Sequence, residues 1–413
     1  MRMKFNKSSQ LLLVSAAGLL VSGLVSACST LTVDFVFVTS SKAAGTNNYG
    51  EIDVLEINSE SGYMRHIPTS PFPSGGRNPV AEAVSADQSN LYVVNQDDNT
   101  IVQFVIGNDG KVYPQATVNT PGIYPMAVAV NGTNLYVVDT YQPLAACSAA
   151  APCSGSVGVF PITVGSGSPP SDSLGTPLTN GNLAYWPIGL PSSPADVIVP
   201  TGIGVTPTGA FVYVTAYDAS VTPNVGYVFG FAANANSGLT PLNGGVPFPA
   251  GVHPSAVTSD PSSAYLYVTD KGSANVLGYS IASAGQLTFL AGSPFAAGNQ
   301  PGAIVADPKY PFVYVANSID NTIAAYSLND GELSAVGTYA TGNQPVAIGI
   351  DPSTNHFLYS ANYLGTITNG TVSGFELSPT AGTLVNSQNS PYTVDALPTA
   401  IVAITHGSTS TSK

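Results

Sequence analysis

The chain has 413 residues, of which 44% are hydrophobic and only 8% are charged. Its 23 acidic residues outnumber its 10 basic residues, and this balance argues against nucleic-acid binding, which needs Lys and Arg to neutralise phosphates. The abundance of Gly, Pro and Tyr together with few charges is typical of an all-β protein rich in tight turns.

The N-terminus predicts export and lipid anchoring. A basic start precedes an apolar run at 11–27 that is too short for a comfortable membrane span. The run ends in LVSAC, which resembles a lipobox, so we expect residues 1–27 to be a signal peptide and Cys28 to be acylated within a lipidated N-terminus, 28–32. The protein would then be held at the cell envelope, on the outer membrane in a cell with two membranes. The alternative is an ordinary signal peptide with an incidental Cys.

An internal repeat predicts the fold. Each copy begins with Pro-x-Ala, turns at Asp-Pro, and continues with a Tyr-Val strand, a polar loop, an alternating third strand and a weaker fourth strand. Seven copies at blade-length intervals predict an all-β, seven-bladed β-propeller of four-stranded blades. The second-strand aromatic residues that anchor the copies are Phe37, Tyr92, Tyr136, Tyr213, Tyr267, Tyr314 and Tyr359.

The last strand is predicted to close the ring. The first anchor has no Pro-x-Ala strand before it, and the chain ends with that missing strand at 397–404. We therefore expect the C-terminal strand to join the N-terminal blade, which removes an open sheet edge. This makes 33–406 one propeller domain, followed by a flexible tail at 407–413.

Glu82 departs from the repeat, because it occupies a slot that is aliphatic in the other copies. A buried carboxylate costs several kcal/mol unless it is paired or protonated. Glu82 is therefore either a structural residue near the channel or a general base or ligand group. Arg77, just upstream, and Lys42, from the neighbouring first-blade loop, are the cations that we expect beside it.

Other candidates lie on the face where the innermost strands begin, here called the entrance face, on which propellers generally carry their sites. His253 precedes Pro254 at such a strand and is either a base that works near neutral pH or an exposed turn residue. The predicted ligand-binding residues of this face also include acidic side chains that would otherwise cap their own turns. These additional candidates are Tyr124, Lys271, Asp97 and Asp218.

The third blade contains two predicted insertions, near 141–155 and 165–199. The first holds Cys147 and Cys153, which we expect to form a disulfide in an oxidising compartment, since no His or further Cys lies nearby to complete a metal site. The second holds Trp186, a ligand-binding candidate, in a segment that is either a lid or partner contact over the entrance face or a self-packed plug.

The second-strand segments LYVVN, LYVVD, VYVTA, LYVTD, VYVAN and LYSAN resemble the YVTN repeat. Through them the chain resembles the lactonase-like seven-bladed propeller family, which includes enzymes similar to 6-phosphogluconolactonase and to muconate-cyclising enzymes. The resemblance implies ring opening of a lactone by a base and an oxyanion donor, for which Glu82, His253 and Arg77 are the catalytic candidates.

These observations lead to two functional hypotheses. The first is an envelope-anchored binding or interaction module, and the alternative is a lactone hydrolase that acts on a sugar or another lactone. The expected partners are the membrane through the lipid and either a small lactone or carbohydrate or an envelope protein. No phosphate-binding, calcium-binding or zinc-binding motif occurs, so no cofactor or metal is predicted.

Overall fold

The structure is a computed structural model that describes residues 33–405 except 59, 167–171, 235–236, 353–355, 365–368 and 396. The predicted signal peptide, the lipidation site at Cys28 and the tail at 407–413 lie outside the described residues. Within the described ranges, no helix is long and apolar enough to cross a membrane.

Seven antiparallel sheets form the blades of a propeller, which confirms the predicted fold. Blade 1 consists of β1 (Val33–Ala44), β2 (Tyr49–Asn58), β3 (Met64–His66) and β4 (Phe72–Pro73), and blade 2 of β5 (Pro79–Val84), β6 (Asn90–Asn95), β7 (Thr100–Ile106) and β8 (Val112–Asn119). Blade 3 consists of β9 (Ile123–Val130), β10 (Asn134–Tyr141), β11 (Ser156–Thr163), β12 (Ser173–Leu174) and β13 (Trp186–Pro187).

The remaining blades follow the same order. Blade 4 consists of β14 (Ile198–Val205), β15 (Phe211–Asp218), β16 (Val225–Asn234), β17 (Gly238–Pro241), a 3₁₀ turn (Leu242–Gly245) and β18 (Phe248–Pro249). Blade 5 consists of β19 (Pro254–Ser259), β20 (Tyr265–Asp270), β21 (Asn275–Ile281), β22 (Leu287–Phe289) and β23 (Phe295–Ala296). Blade 6 consists of β24 (Pro301–Ala306), β25 (Phe312–Asn317), β26 (Thr322–Asn329) and β27 (Glu332–Ala340). Blade 7 consists of β28 (Asn343–Ile350), β29 (Phe357–Leu364), β30 (Asn369–Leu377), β31 (Leu384–Asn386) and β32 (Tyr392–Asp395), and β33 (Pro398–Ile404) ends the described fold.

The outermost strand differs between blades. Blades 2 and 6 have the four predicted strands, whereas the other five sheets have five. In blade 1, β3 pairs with 55–57 of β2, and β4 pairs with 51–52 of the same strand. The extra strand is therefore a second segment of a split fourth strand, and the blade keeps four positions from channel to rim.

The C-terminal strand closes the ring as predicted. Strand β33 pairs antiparallel with β1, with Phe37 opposite Val402, and contacts the innermost strands β5 and β28 of the neighbouring blades. The hydroxyl of Thr399 also donates a hydrogen bond of 2.9 Å to the carbonyl oxygen of Pro79. Blades 7, 1 and 2 are thus joined through residues at the two ends of the described chain.

The repeated aromatic residue holds neighbouring blades together. All seven anchors are fully buried. The Tyr267 hydroxyl donates a hydrogen bond of 2.8 Å to the carbonyl oxygen of Gly331 in the following blade, and Tyr213 does the same to Gly285. Gly331 has a φ of +89°, and a Cβ there would meet the Tyr265 ring at 2.6 Å. The Tyr and the turn Gly therefore form one inter-blade contact, which explains why the repeat predicts the fold.

Trp186 is a buried residue of blade 3 and does not lie in a lid over the entrance face. Strand β13 pairs with β11 as the outer segment of blade 3. The indole is buried between blades 3 and 4 together with Phe231 and Leu239, and its N–H donates a hydrogen bond of 2.7 Å to the carbonyl oxygen of Leu239. The prediction that Trp186 lies in a ligand-binding loop over the entrance face is therefore corrected: its large apolar surface is buried between two blades.

Candidate functional site

Two sets of loops meet on the entrance face, namely those before the innermost strands and those after the second strands. Their backbones are bonded directly, since the amide of Lys271 donates to the carbonyl oxygen of His253 at 3.1 Å and the amide of Gln96 donates to that of Asn78 at 3.0 Å. Side chains from both sets therefore lie side by side around the mouth of the channel.

Glu82 is enclosed between the first two blades. Its Oε2 accepts a hydrogen bond from the Thr39 hydroxyl at 2.5 Å, while its buried Oε1 has no partner. Loss of hydration raises the pKa of Glu82 to about 8, although hydrogen bonds from Thr39 and from the Val402 backbone oppose the shift. The loss of hydration therefore favours the neutral form of the Glu82 carboxyl.

The two cations predicted beside Glu82 have other partners. Arg77 is 52% exposed and forms a salt bridge with Asp98, which also accepts a hydrogen bond from the Arg77 backbone amide at 2.7 Å. Lys42 forms a salt bridge of 3.1 Å with Asp395. The predicted grouping of Glu82 with these cations is thus wrong, because nearer carboxylates neutralise both of them.

The two acidic ligand-binding candidates bond to neighbouring loop groups. Asp218 is buried and accepts a hydrogen bond of 2.7 Å from the Ser220 backbone amide, and Asp97 accepts one of 3.1 Å from the side-chain amide of Asn78. The Asp218 contact is the turn chemistry that the sequence offered as the alternative to ligand binding, whereas the Asp97 contact joins two neighbouring loops.

His253 stacks against a tyrosine on the neighbouring blade. The centroids of the His253 and Tyr217 rings are 4.0 Å apart, and the rings are inclined by 32°. The imidazole Nδ1 is buried without a hydrogen-bond partner. Burial lowers the pKa of His253, and the nearby positive charge of Lys271 lowers it further. The imidazole is therefore neutral at pH 7 and can accept a proton.

Lys271 is the cation of this part of the face. Lys271 makes no salt bridge with any described residue, whereas Lys42 and Arg77 each pair with a carboxylate. Its side chain remains accessible, but surrounding protein atoms remove part of its hydration, and this desolvation lowers its pKa. We call Tyr217, His253 and Lys271 the histidine site: an aromatic surface, a neutral base and an unpaired ammonium group.

A second pair of rings lies on blade 3. Tyr124 and Tyr141 meet edge to face with centroids 6.0 Å apart, and the Tyr141 phenol is close enough to Tyr217 to raise the pKa of Tyr217, after the larger effect of burial. The sequence reasoning identified Tyr124 but missed Tyr141 and Tyr217. The available signal was their position, since each follows an anchor tyrosine at the end of the same second strand.

Among the residues that the structure describes, no three His, Cys, Asp or Glu side chains come together as a metal site requires. Of the three predicted catalytic residues, Glu82 contacts blade 1, Arg77 contacts Asp98, and His253 contacts Tyr217. Only His253 thus combines a free ring nitrogen with a neighbouring unpaired cation.

The ring of blades and the residues at its mouth define a β-propeller with a candidate ligand site on the entrance face. The family model for "Lactonase, 7-bladed beta-propeller" matches residues 203–399, which confirms the resemblance to the lactonase-like propellers. No curated protein sequence matches the chain significantly.

Solved structures show the same fold. A candidate 6-phosphogluconolactonase of Bacteroides fragilis is 19% identical with a TM-score of 0.68, and the match covers 91% of this chain and 99% of that chain. The periplasmic gluconolactonase of Pseudomonas aeruginosa is 17% identical with a TM-score of 0.68, covering 90% and 99%. A candidate 6-phosphogluconolactonase of Bacteroides uniformis is 17% identical with a TM-score of 0.64, again covering 90% and 99%. At such identities the likeness concerns the fold alone.

Proposed function

We propose that this protein is an exported, envelope-anchored propeller that binds a small uncharged ring compound, a sugar or sugar lactone, at the histidine site. The observation that carries the proposal is the close contact of the partly exposed Tyr217 and His253 rings, with centroids 4.0 Å apart, beside the exposed Lys271. Aromatic faces pack against the C–H faces of a ring, and a few polar groups fix its orientation.

The charge distribution favours an uncharged ligand. The chain has a formal net charge of −13, and the salt bridges of Lys42 and Arg77 already neutralise two entrance-face cations. A phosphorylated ligand would meet Lys271 and His253, of which the imidazole is neutral at pH 7 because its pKa is lowered. One ammonium group can orient a carbonyl or hydroxyl, whereas phosphate binding generally uses several donors or an Arg fork.

A second candidate function, hydrolysis of the bound lactone, is favoured by the neutral state of His253. The imidazole would take a proton from water as the water oxygen attacks the lactone carbonyl carbon. The Lys271 ammonium would stabilise the oxygen anion that forms. The ring C–O bond would then break, and the imidazolium would return its proton to the leaving alkoxide. The family match at 203–399 supports this candidate.

The ligand proposal is tested by titrating the purified protein with glucono-δ-lactone, its 6-phospho form and glucose, using calorimetry. We expect the neutral compounds to bind, and Tyr217→Ala to weaken this binding by about tenfold or more because the ring surface is lost. Tyr113→Ala is the matched control, since Tyr113 is an exposed tyrosine at the start of β8. Equal affinity of the two variants, or binding only of the phosphorylated compound, would overturn the proposal.

Hydrolysis is tested on the same protein by pH-stat. His253→Gln should lower any enzyme-catalysed rate by roughly 100-fold while the protein stays folded, because the base is removed. Lactone binding without acceleration above the spontaneous rate would leave binding as the function.

The envelope anchor is tested by fractionation: Cys28→Ala should release the protein from membranes or leave the precursor unprocessed, and unchanged membrane association would refute the anchor.

A further inference from the structure

The aromatic surface of the entrance face is larger than one sugar ring covers. Tyr217 and His253 form one ring pair across blades 4 and 5, and Tyr124 and Tyr141 form another on blade 3. The histidine site uses only the first pair. The second pair is not used by the histidine site, yet its tyrosines also have a flat apolar face with a polar tip, which suits ligand binding.

The backbone holds Tyr124 in place at the rim. Tyr124 has a φ of +55°, a left-handed conformation that is uncommon for a bulky residue. Its amide donates to the side-chain oxygen of Asn99 at 2.7 Å, and its carbonyl oxygen accepts from the Thr140 hydroxyl at 2.7 Å. These bonds fix the residue while leaving 36% of it exposed. Asn78, Gln300 and Gln344 have the same left-handed φ at the equivalent position, so this conformation belongs to the repeat, and in blade 3 it brings a tyrosine to the rim.

The disulfide loop supports the other tyrosine. Cys147 and Cys153 are bonded in the connection that follows Tyr141. The amide of Gln142, the next residue, donates to the carbonyl oxygen of Ser154 at 3.0 Å, so the loop returns to the end of β10. The covalent link therefore restrains the loop that follows Tyr141.

From this arrangement we infer that Tyr124 and Tyr141 form a second subsite, and that the natural ligand is an uncharged oligosaccharide chain spanning blades 3 to 5. One sugar unit packs on each ring pair. The inference rests on the proposed function, because the first unit occupies the histidine site. It extends the proposed ligand from a single sugar ring to an oligosaccharide, a ligand class that suits a protein displayed at the cell envelope.

The test compares ligands of different length on the full mature protein. Glucose and linear α-1,4- and β-1,4-linked gluco-oligosaccharides of two to six units are titrated by calorimetry. We expect the affinity for the better linkage to rise by at least about tenfold from one unit to two, as a second stacked sugar adds its own contact. Tyr124→Ala and Tyr141→Ala should return the ratio of these two affinities to near one, and Tyr113→Ala should leave it as in the wild type.

The outcomes separate the inference from the function on which it rests. If glucose binds and lengthening adds nothing for either linkage, the second subsite is refuted and the histidine site stands. If glucono-δ-lactone, glucose and every oligosaccharide fail to bind, both are refuted. Binding of glucono-δ-lactone without any oligosaccharide refutes only the second subsite. Melting temperatures of the variants are compared with that of Tyr113→Ala. A Tyr124 or Tyr141 variant that keeps the wild-type affinity ratio also refutes the subsite.

Discussion

The entrance face over blades 1 and 2 differs from that over blades 4 and 5 in how its cations are held. In the first region, Lys42 is bonded to Asp395 and Arg77 to Asp98. In the second, Lys271 makes no salt bridge within the described part of the chain, and it lies beside the His253–Tyr217 pair. A cation whose charge is already neutralised has less to offer a ligand, so we expect ligand recognition over blades 4 and 5.

The charges of the first region instead join the last strands to blade 1. Asp53 accepts a hydrogen bond of 3.0 Å from the Asp395 amide and lies 2.8 Å from the Nε2 of His66. Burial and the adjacent Asp395 raise the pKa of Glu51 to about 7. The segment before β33 is thereby fastened to blade 1 by polar contacts. We therefore expect substitutions here to affect ring closure and those over blades 4 and 5 to affect ligand binding.

The largest expected effect comes from removing the closing strand. Deleting 397–413 exposes the edge of β1 and the apolar residues that pack against β33, so the protein should lose its cooperative thermal transition. Deleting only 407–413 is the control and should leave the transition unchanged. Circular dichroism melts compare the two. An unchanged melt after the longer deletion would show that closure does not depend on β33.

A smaller effect is expected from Glu82→Gln, and it should depend on pH. Because the folded pKa of about 8 lies above the ordinary value of 4.5, the folded state binds more protons between these values. The contribution of Glu82 to stability is therefore complete below the ordinary pKa and is lost as pH rises through 8. Glu82→Gln should match the wild type near pH 5 and exceed it by a few kcal/mol near pH 9, as measured by urea unfolding. Equal curves at both pH values would contradict the burial of Glu82.

Removing the disulfide should have a modest effect. The cysteines are only six positions apart, so their bond restrains little unfolded-chain entropy, and Cys147→Ser with Cys153→Ser should cost about 2 kcal/mol or less. The substitution acts on blade 3, beside the proposed second subsite, so the affinity for oligosaccharides should fall while ring closure is retained. A loss of cooperative folding would show instead that this loop is needed for the stability of the propeller.

The sequence predicted the fold better than the site because each blade repeats the same sequence pattern. An anchor aromatic residue recurs once in each blade, and the C-terminal strand supplies the innermost strand that the first copy lacks. All seven anchors are buried, and some, such as Tyr267, also bond to the following blade. Trp186 takes the outer-segment position that Phe72 and Phe248 hold in other blades, but the long insertion before it hid this equivalence in the sequence. Its packing against Leu239 was therefore not predicted.

The site depends on loop side chains, whose partners are chosen in three dimensions. Arg77 is close to Glu82 in sequence but bonds to Asp98 across the blade. His253 was identifiable from its place before the innermost strand, whereas its stacking partner Tyr217 comes from a different blade. Such pairings cannot be derived from spacing within one repeat.

The most direct test of the account compares Lys271→Met with Arg77→Met in calorimetric titrations with glucono-δ-lactone. Both substitutions remove a cation from the entrance face, one unpaired over blade 5 and one paired over blade 2. We predict that Lys271→Met weakens binding by about tenfold, because an accessible ammonium group without a salt bridge can donate a charged hydrogen bond to the ligand, and that Arg77→Met has no effect on affinity. Weaker binding in Arg77→Met with unchanged binding in Lys271→Met would contradict it.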